Sequence, residues 1–282
     1  VQLKKEGRVK HVIVGGCLAQ RYARELAAEI PEVDCFFGLN DIPRVAEIVG
    51  QIGDKKFGVL GDPVFLYDHT FSRLPQRRRA GTAYIKIADG CDNRCSYCAI
   101  PLIRGRLRSR SPDSVLLEAK RLAGEGVREL VVIAQDTTSY GRDLGLPGGG
   151  LASLLRALQE ISGLEWIRVL YAHPERITDE LLEVVASSPK VLPYFDIPLQ
   201  HVDPRILRLM GRKGSPEHFL NLVEKIRSRL PGATLRTTWL VGFPGETEAE
   251  FKRLLEFMEA AQFDWAGAFV FSEEEGTAAA GL

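Results

Sequence analysis

Gly90-Cys91-Asp92-Asn93-Arg94-Cys95-Ser96-Tyr97-Cys98-Ala99 directly follows an apolar, strand-like run at 84–88, and its three cysteines are spaced C-x3-C-x2-C. Three thiolates this close can reach a single iron–sulfur cluster. A four-iron cubane normally takes one thiolate per iron, so three leave one iron open to a ligand. A zinc knuckle or half of a disulfide framework is the competing reading. Zinc needs a fourth Cys or His, and the nearest histidines, His69 and His173, are remote in sequence, so only the fold could bring one close. Five cysteines in 282 residues, an odd count, suit a reducing compartment better than a secreted scaffold.

Outward from this loop the pattern is a regular alternation. Strands are expected at 84–88, 129–134, 166–172, 194–197, 234–241 and 266–271, with helices at 113–124, 151–161, 178–186, 204–210, 216–229 and 246–261. Strand and helix in turn imply a parallel sheet with right-handed crossovers. Six such units fit an α/β fold, an open or partial (β/α)6 barrel, with its chemistry at the C-terminal strand ends. The cysteine loop follows the first strand and so falls at that face.

Upstream, strands at 9–14 and 33–38 flank a helix at 18–30 that Pro31 ends, and Asp41 is placed to cap a helix over 42–49. This reads as part of a small α/β domain. From Gln51 to Arg79 the pattern fails, and Leu74-Pro-Gln-Arg-Arg-Arg reads as an exposed linker or a basic contact for a partner. The expected division is 1–75 and 76–282. A start at Val1 and a stop at Ala-Ala-Ala-Gly-Leu read as a fragment. Lys plus Arg and Asp plus Glu both number 37, so no basic excess advertises a nucleic-acid partner. No apolar run reaches the roughly 18 residues of a membrane span, and the location expected is cytoplasmic.

Polar residues gather at the other expected strand ends. Gln135-Asp136-Thr-Thr-Ser-Tyr-Gly follows the second strand and can grip an amino-acid moiety or form a side-chain-stabilised turn. Gln200, after the fourth, can hydrogen-bond a ribose. Gly242 and Phe243, after the fifth, allow close backbone approach to a flat ligand such as adenine, and Phe271 closes the sixth. Arg212 and Arg236 can each clamp a carboxylate through the guanidinium fork; a surface position for Arg212 is the plainer alternative. Cys17 stands at a strand-to-helix turn, where the helix dipole favours a thiolate, whereas Cys35 between Val33 and Phe36 reads as a small buried hydrophobe.

The cysteine spacing, with Tyr97 before the last cysteine, resembles the radical S-adenosylmethionine (SAM) superfamily, in which the open iron chelates SAM. Gly16-Cys-Leu-Ala-Gln-Arg-Tyr, the block from Tyr84 to Arg106 and Ser109-Arg-Ser together resemble the methylthiotransferase family within it. Ala134-Gln-Asp-Thr-Thr-Ser-Tyr-Gly and Ser272-Glu-Glu-Glu-Gly-Thr resemble its branch that modifies an aspartate of small-subunit ribosomal protein S-twelve. The resemblance implies one 4Fe-4S cluster on Cys91, Cys95 and Cys98, and a second in the full-length protein to which Cys17 gives one ligand. It also implies SAM contacts at Tyr97, Gln135, Asp136, Gln200, Arg212, Arg236, Gly242, Phe243 and Phe271, an electron donor, and a 5′-deoxyadenosyl radical that takes hydrogen from the aspartate β-carbon before sulfur is inserted and methylated. Nucleic acid is not the expected direct substrate; tRNA-adenosine methylthiolation and a non-catalytic metal module are the alternatives. With Cys17 as the one ligand present for a second cluster, SAM cleavage without efficient sulfur insertion is expected of this stretch alone.

Overall fold

The computed structural model describes residues 1–52, 61–71, 81–146 and 150–282; the run from Leu74 to Arg79 lies outside them. The chain divides into two compact units, Val1–Phe65 with Ala99–Arg106, and Leu66–Cys98 with Leu107–Leu282.

In the first unit, α1 (Gln2–Lys5), β1 (Ile13–Gly15), α2 (Cys17–Glu29), β2 (Cys35–Phe37) and α3 (Val45–Gly50) follow in order. β1 and β2 pair in parallel, Ile13 opposite Cys35. Ala19, Ala23, Val33 and Phe36 are buried together, with Val14, Leu26 and Ile30 packed on them. Small residues on the inner side of α2 let it lie close to the two strands. The expected cap at Asp41 is corrected: Asp41 is buried inside a 3-10 helix, Leu39–Arg44, without a capping bond, and the α-helix begins only at Val45. Pro43 explains this, because it lacks an N–H and its ring crowds the preceding turn, so the chain tightens before it can continue as α-helix. The short α4 (Ile100–Arg104) belongs to this unit and packs on α2.

The second unit runs β3 (Thr82–Lys86), β4 (Ala88–Asp89), β5 (Arg108–Ser109), α5 (Pro112–Gly124), β6 (Glu129–Ile133), α6 (Leu151–Gln159), β7 (Trp166–Val169), α7 (Asp179–Ser187), β8 (Tyr194–Asp196), α8 (Pro204–Leu209), α9 (Pro216–Arg229), β9 (Thr234–Val241), α10 (Glu248–Ala261) and β10 (Trp265–Val270). The six long-range strands are all parallel, but they form two ladders of three rather than one sheet, in the orders β3-β6-β7 and β8-β9-β10. An isolated bridge, Ile167 to Val191, joins them, supported by the bonds from Ile167 N to Lys190 O and Ala172 N to Asp196 O. A six-stranded arc in chain order is the partial barrel expected. The break falls where Pro193 removes a ladder donor just before β8.

One face of the arc packs on helices. Ile85, Leu130, Val132, Ile167 and Leu235 meet Leu154, Leu155, Leu158, Leu182 and Ile226 in a single core, each such side chain contributing about 1.5–3 kcal/mol on burial. Helix starts are locally encoded. Ser111, Thr178 and Ser215 accept bonds from Ser114, Leu181 and His218 N–H groups, and Thr247 with Glu250 forms a reciprocal capping box. The opposite strand face carries polar and aromatic residues. Tyr84, Val131 and Arg168 stand in register across β3, β6 and β7, and the Arg168 guanidinium bonds Glu129 at 2.8 Å and lies 4.8 Å above the Tyr194 ring.

Candidate functional site

The C-terminal ends of the strands gather the chemically active loops. The β4–β5 pair, Ala88 opposite Ser109, pins the two ends of the excursion that carries the cysteines. Within it, Cys91, Cys95 and Cys98 are in no disulfide and are partly exposed. Burial pushes the Cys91 thiol up, while the backbone N–H of Asn93, 3.4 Å from its sulfur, works the other way. The Arg212 guanidinium lies 3.8 Å from the Cys95 sulfur and also donates to Pro198 O at 2.9 Å. Among the described residues no group of three or more His, Cys, Asp or Glu side chains is arranged to hold a metal ion. Three thiols, an N–H aimed at one and a guanidinium beside another are the donor chemistry that suits a four-iron cluster with one iron open.

Main-chain contacts seat the loop. Ser96 N donates to Met210 O at 2.9 Å, Ala279 N donates to Ser96 O at 2.8 Å, and the Ser96 hydroxyl donates to Leu209 O at 2.7 Å. This approach depends on Gly211, whose φ is +68° and where a Cβ would stand 2.4 Å from Arg94 O. Gly211→Ala is expected to cost about 1–3 kcal/mol through backbone strain and to unseat the cysteine loop. Thermal melting and iron content after anaerobic reconstitution check this; a variant that matches the parent in both contradicts it.

Tyr97 packs edge-on against Phe243 with ring centroids 6.5 Å apart, and Phe243 against Phe271 at 5.2 Å. Ile206, Met210 and Ala279 are buried with Phe243 in one apolar cluster, against which Tyr97 and Phe271 pack. Burial pushes the Tyr97 hydroxyl far above the usual tyrosine range, and Cys95 beside it adds to the effect. Gly242 has φ +70° and its added Cβ would meet only Val270, at 3.9 Å, so its backbone is open to close approach. Gln200 also adopts a left-handed conformation, φ +75°, held by its N–H on Thr238 O and its carbonyl on Leu240 N–H. A non-glycine residue so strained is a feature of functional loops. The Gln135 side-chain oxygen is buried without a hydrogen-bond partner, an acceptor left for a ligand.

At two positions the structure separates readings that the sequence left open. The Arg236 side chain is 44% exposed on the open strand face, 3.7 Å from the buried carboxylate of Asp196. Asp136 is buried and already engaged. Burial alone would raise its carboxyl, but Arg176 and hydrogen bonds from Thr138, Asn93 and Ser139 outweigh it and hold it below the usual carboxylate range. The sequence reading missed Arg176 and Asn93 at this site, and the fold brings His173 to it. Burial, with Arg212 and Arg176 nearby, takes His173 down to about 3, so its imidazole is neutral at physiological pH.

Cys17, in the first unit, begins α2 after Gly16, whose φ is +96°. The Arg104 guanidinium lies 3.2 Å from its sulfur. Cys35 is buried among the strand side chains, and burial raises its thiol.

Residues 85–258 match the Radical SAM superfamily. The ribosomal protein uS12 methylthiotransferase RimO of Symbiobacterium thermophilum is 50% identical over 279 residues, covering 99% of this chain and 57% of its own length. The protein of the same name from Geobacter sulfurreducens is 50% identical over 280 residues, covering 98% of this chain and 62% of its own length. The chain thus spans about three fifths of the relatives it matches. Among solved structures, the radical SAM methyltransferase TsrM of Kitasatospora setae superposes with a TM-score of 0.68 at 18% identity, over 92% of this chain and 55% of its own. The cobalamin-dependent SAM radical enzyme OxsB superposes with a TM-score of 0.63 at 14% identity, over 92% of this chain and 40% of its own; these likenesses speak to fold alone. A cysteine triplet at the mouth of a six-stranded parallel arc and a superfamily match across that arc lead to one conclusion, that the chain belongs to the Radical SAM superfamily.

Proposed function

We propose that the protein is a radical-SAM methylthiotransferase acting on an aspartate of ribosomal protein uS12. The observation that carries this is the 50% identity, across nearly the whole chain, to uS12 methylthiotransferases, joined to a loop whose three thiols are presented at the strand mouth. A 4Fe-4S cluster held by Cys91, Cys95 and Cys98 would supply one electron for reductive SAM cleavage.

The chain's own residues divide the remaining work. Tyr97, Phe243 and Phe271 form an apolar bed beside the thiols, suited to exclude water from a reactive radical. Gly242 offers main chain to a flat base, and Gln135 and Gln200 offer side-chain amides to amino-acid and ribose groups. Arg212 sits where its fork can meet a carboxylate beside Cys95, and Arg236 provides a cation on the open strand face. Cys17, with Arg104 beside it, would contribute one thiolate to a second cluster. The division into a methylthiotransferase-type α/β domain over 1–75 and a radical-SAM core over 76–282 belongs to the same reading.

No helix among the described residues is long and apolar enough to cross a membrane; a ribosomal substrate supports a cytoplasmic reaction, with a cellular reductant as electron donor. No observation favours tRNA or a non-catalytic module. The test is anaerobic reconstitution with iron and sulfide, then reduction with SAM in the presence of a uS12 loop peptide or an unmodified tRNA. SAM-dependent 5′-deoxyadenosine, with label exchanged from the peptide's aspartate β-carbon, is the expected result. Exchange from tRNA instead, or a cluster indifferent to SAM, contradicts the proposal.

A further inference from the structure

Asn93 lies between Cys91 and Cys95 and has both ends of its amide engaged. Its Nδ2 donates to Asp136 Oδ2 at 2.9 Å, and its Oδ1 accepts from Arg176 Nη2 at 2.7 Å. The same Arg176 nitrogen donates to Asp136 Oδ2, closing a triangle of three side chains. Asp136 has little left for a ligand, because Oδ1 accepts from Thr138 and Oδ2 also accepts from Ser139 at 2.8 Å. Its neighbours are themselves fixed: Thr138 Oγ1 accepts from His173 N at 3.1 Å, and Thr137 Oγ1 donates to Leu170 O at 2.9 Å. The cysteine loop, the turn after β6 and the 3-10 turn Pro174–Arg176 after β7 are therefore knotted at one point.

The other end of the cysteine loop is held quite differently, by the main chain of Met210 and Ala279 at Ser96 and by Arg212 at Cys95. The β4–β5 pair fixes the chain up to Asp89 and the Ser96 bonds fix it beyond Cys95, so the stretch between them that carries Cys91 is left to side-chain contacts. The triangle supplies such contacts, and a planar guanidinium that binds two acceptors in one plane does so better than a point charge. Resting on the radical-SAM reading above, we infer that Arg176 is a positioning residue. By joining Asn93 to Asp136 it fixes the Cys91 end of the loop against the mouths of β6 and β7, where the Cys91 thiolate would hold its share of the cluster. Asp136 accordingly belongs to this frame and not to the set of direct SAM contacts.

Arg176→Gln and Arg176→Lys test this with two kinds of readout. In the protein without cluster, iodoacetamide labelling followed by peptide mapping reads the exposure of Cys91 relative to Cys98. After reconstitution, iron content, the SAM-induced change in the cluster's electron paramagnetic resonance spectrum, and separate KM and kcat values for 5′-deoxyadenosine formation read the alignment. Arg176→Gln is expected to melt near the parent and load the same iron, to label Cys91 several-fold faster, and to raise the SAM KM by about 10-fold, the lower end for loss of an outer support of a metal site. Arg176→Lys is expected to recover part of both changes. A Gln variant with parental Cys91 labelling and parental SAM KM overturns the inference. So does a general loss of folding that Lys does not rescue. If the parent itself holds no SAM-responsive cluster, the radical-SAM reading fails instead, and the labelling comparison still decides whether the triangle holds the loop.

Discussion

Cys95→Ala is expected to lose SAM-dependent 5′-deoxyadenosine formation by more than the ~100-fold typical of removing a supporting residue around a metal site, while leaving the fold intact. A cluster held by three thiolates already has one iron without a protein ligand, and losing another leaves two cysteines to hold four irons. The fold is spared because Cys95 is a partly exposed loop thiol outside the buried core, and such positions usually change stability by no more than about 0.5 kcal/mol. Cys35→Ala is the contrasting control. Cys35 is buried beside Phe36 in β2, so its truncation is felt in the packing of the first unit while iron on the three-cysteine loop stays at the parental level. Iron per chain, melting temperature and 5′-deoxyadenosine yield, measured on both variants, separate the two roles. Unchanged iron and turnover in Cys95→Ala would return the triplet to a structural part.

Glu118→Ala is expected to be the most destabilising single substitution of a charged residue, at about 3–5 kcal/mol. Arg110 and Glu118 are buried, their side chains 1% and 4% exposed, with 2.5 Å between Nη1 and Oε2. The guanidinium also donates to Lys86 O at 2.9 Å and to Ser114 O at 3.0 Å. Removing Glu118 leaves a buried cation whose neighbours cannot move to meet it. The loss travels toward the site, because Arg110 N bonds Ile87 O and the Tyr140 hydroxyl bonds Arg110 O at 2.9 Å, joining the end of β3 to the turn that bears Asp136. Denaturant unfolding of Glu118→Ala and of the apolar pair Arg110→Met with Glu118→Leu measures this. The double variant is expected to recover much of the loss. If Glu118→Ala unfolds at the parental midpoint, the pair is not the strut described.

Much of the second unit was legible because its signals are local. Pro112, Pro204 and Pro216 open helices whose caps, Ser111, Asp203 and Ser215, precede them in the chain, and the alternation in Thr234–Val241 follows one buried and one open strand face. What escaped depended on tertiary context. Pro43 turns an expected helix start into a 3-10 segment, and the seam between β7 and β8 arises from ladder geometry around Pro193. At the site, the cysteine spacing, Tyr97 and Phe243 could be found from the chain alone. The Asn93–Asp136–Arg176 triangle could not, because its corners are 43 and 83 residues apart and Arg176 sits in Pro-Glu-Arg, an unremarkable turn. Gly211 did carry a readable signal, a glycine directly before Arg212 and just after a helix, but its partner at Arg94 did not.

That the cysteine loop is seated through Ser96, Met210 and Ala279 by peptide groups has an evolutionary corollary. Every residue but proline brings the same N–H, and every residue the same C=O, so this docking is indifferent to most of the side chains around it. A lineage can exchange much of the surface near Ser96 without moving that end of the loop, provided that position 211 stays bare of a Cβ and the Asn93–Asp136–Arg176 triangle is kept. Mutational drift is thereby channelled away from the metal-binding geometry and into the surrounding shell, where new substrate preferences can be tried at little risk to the chemistry.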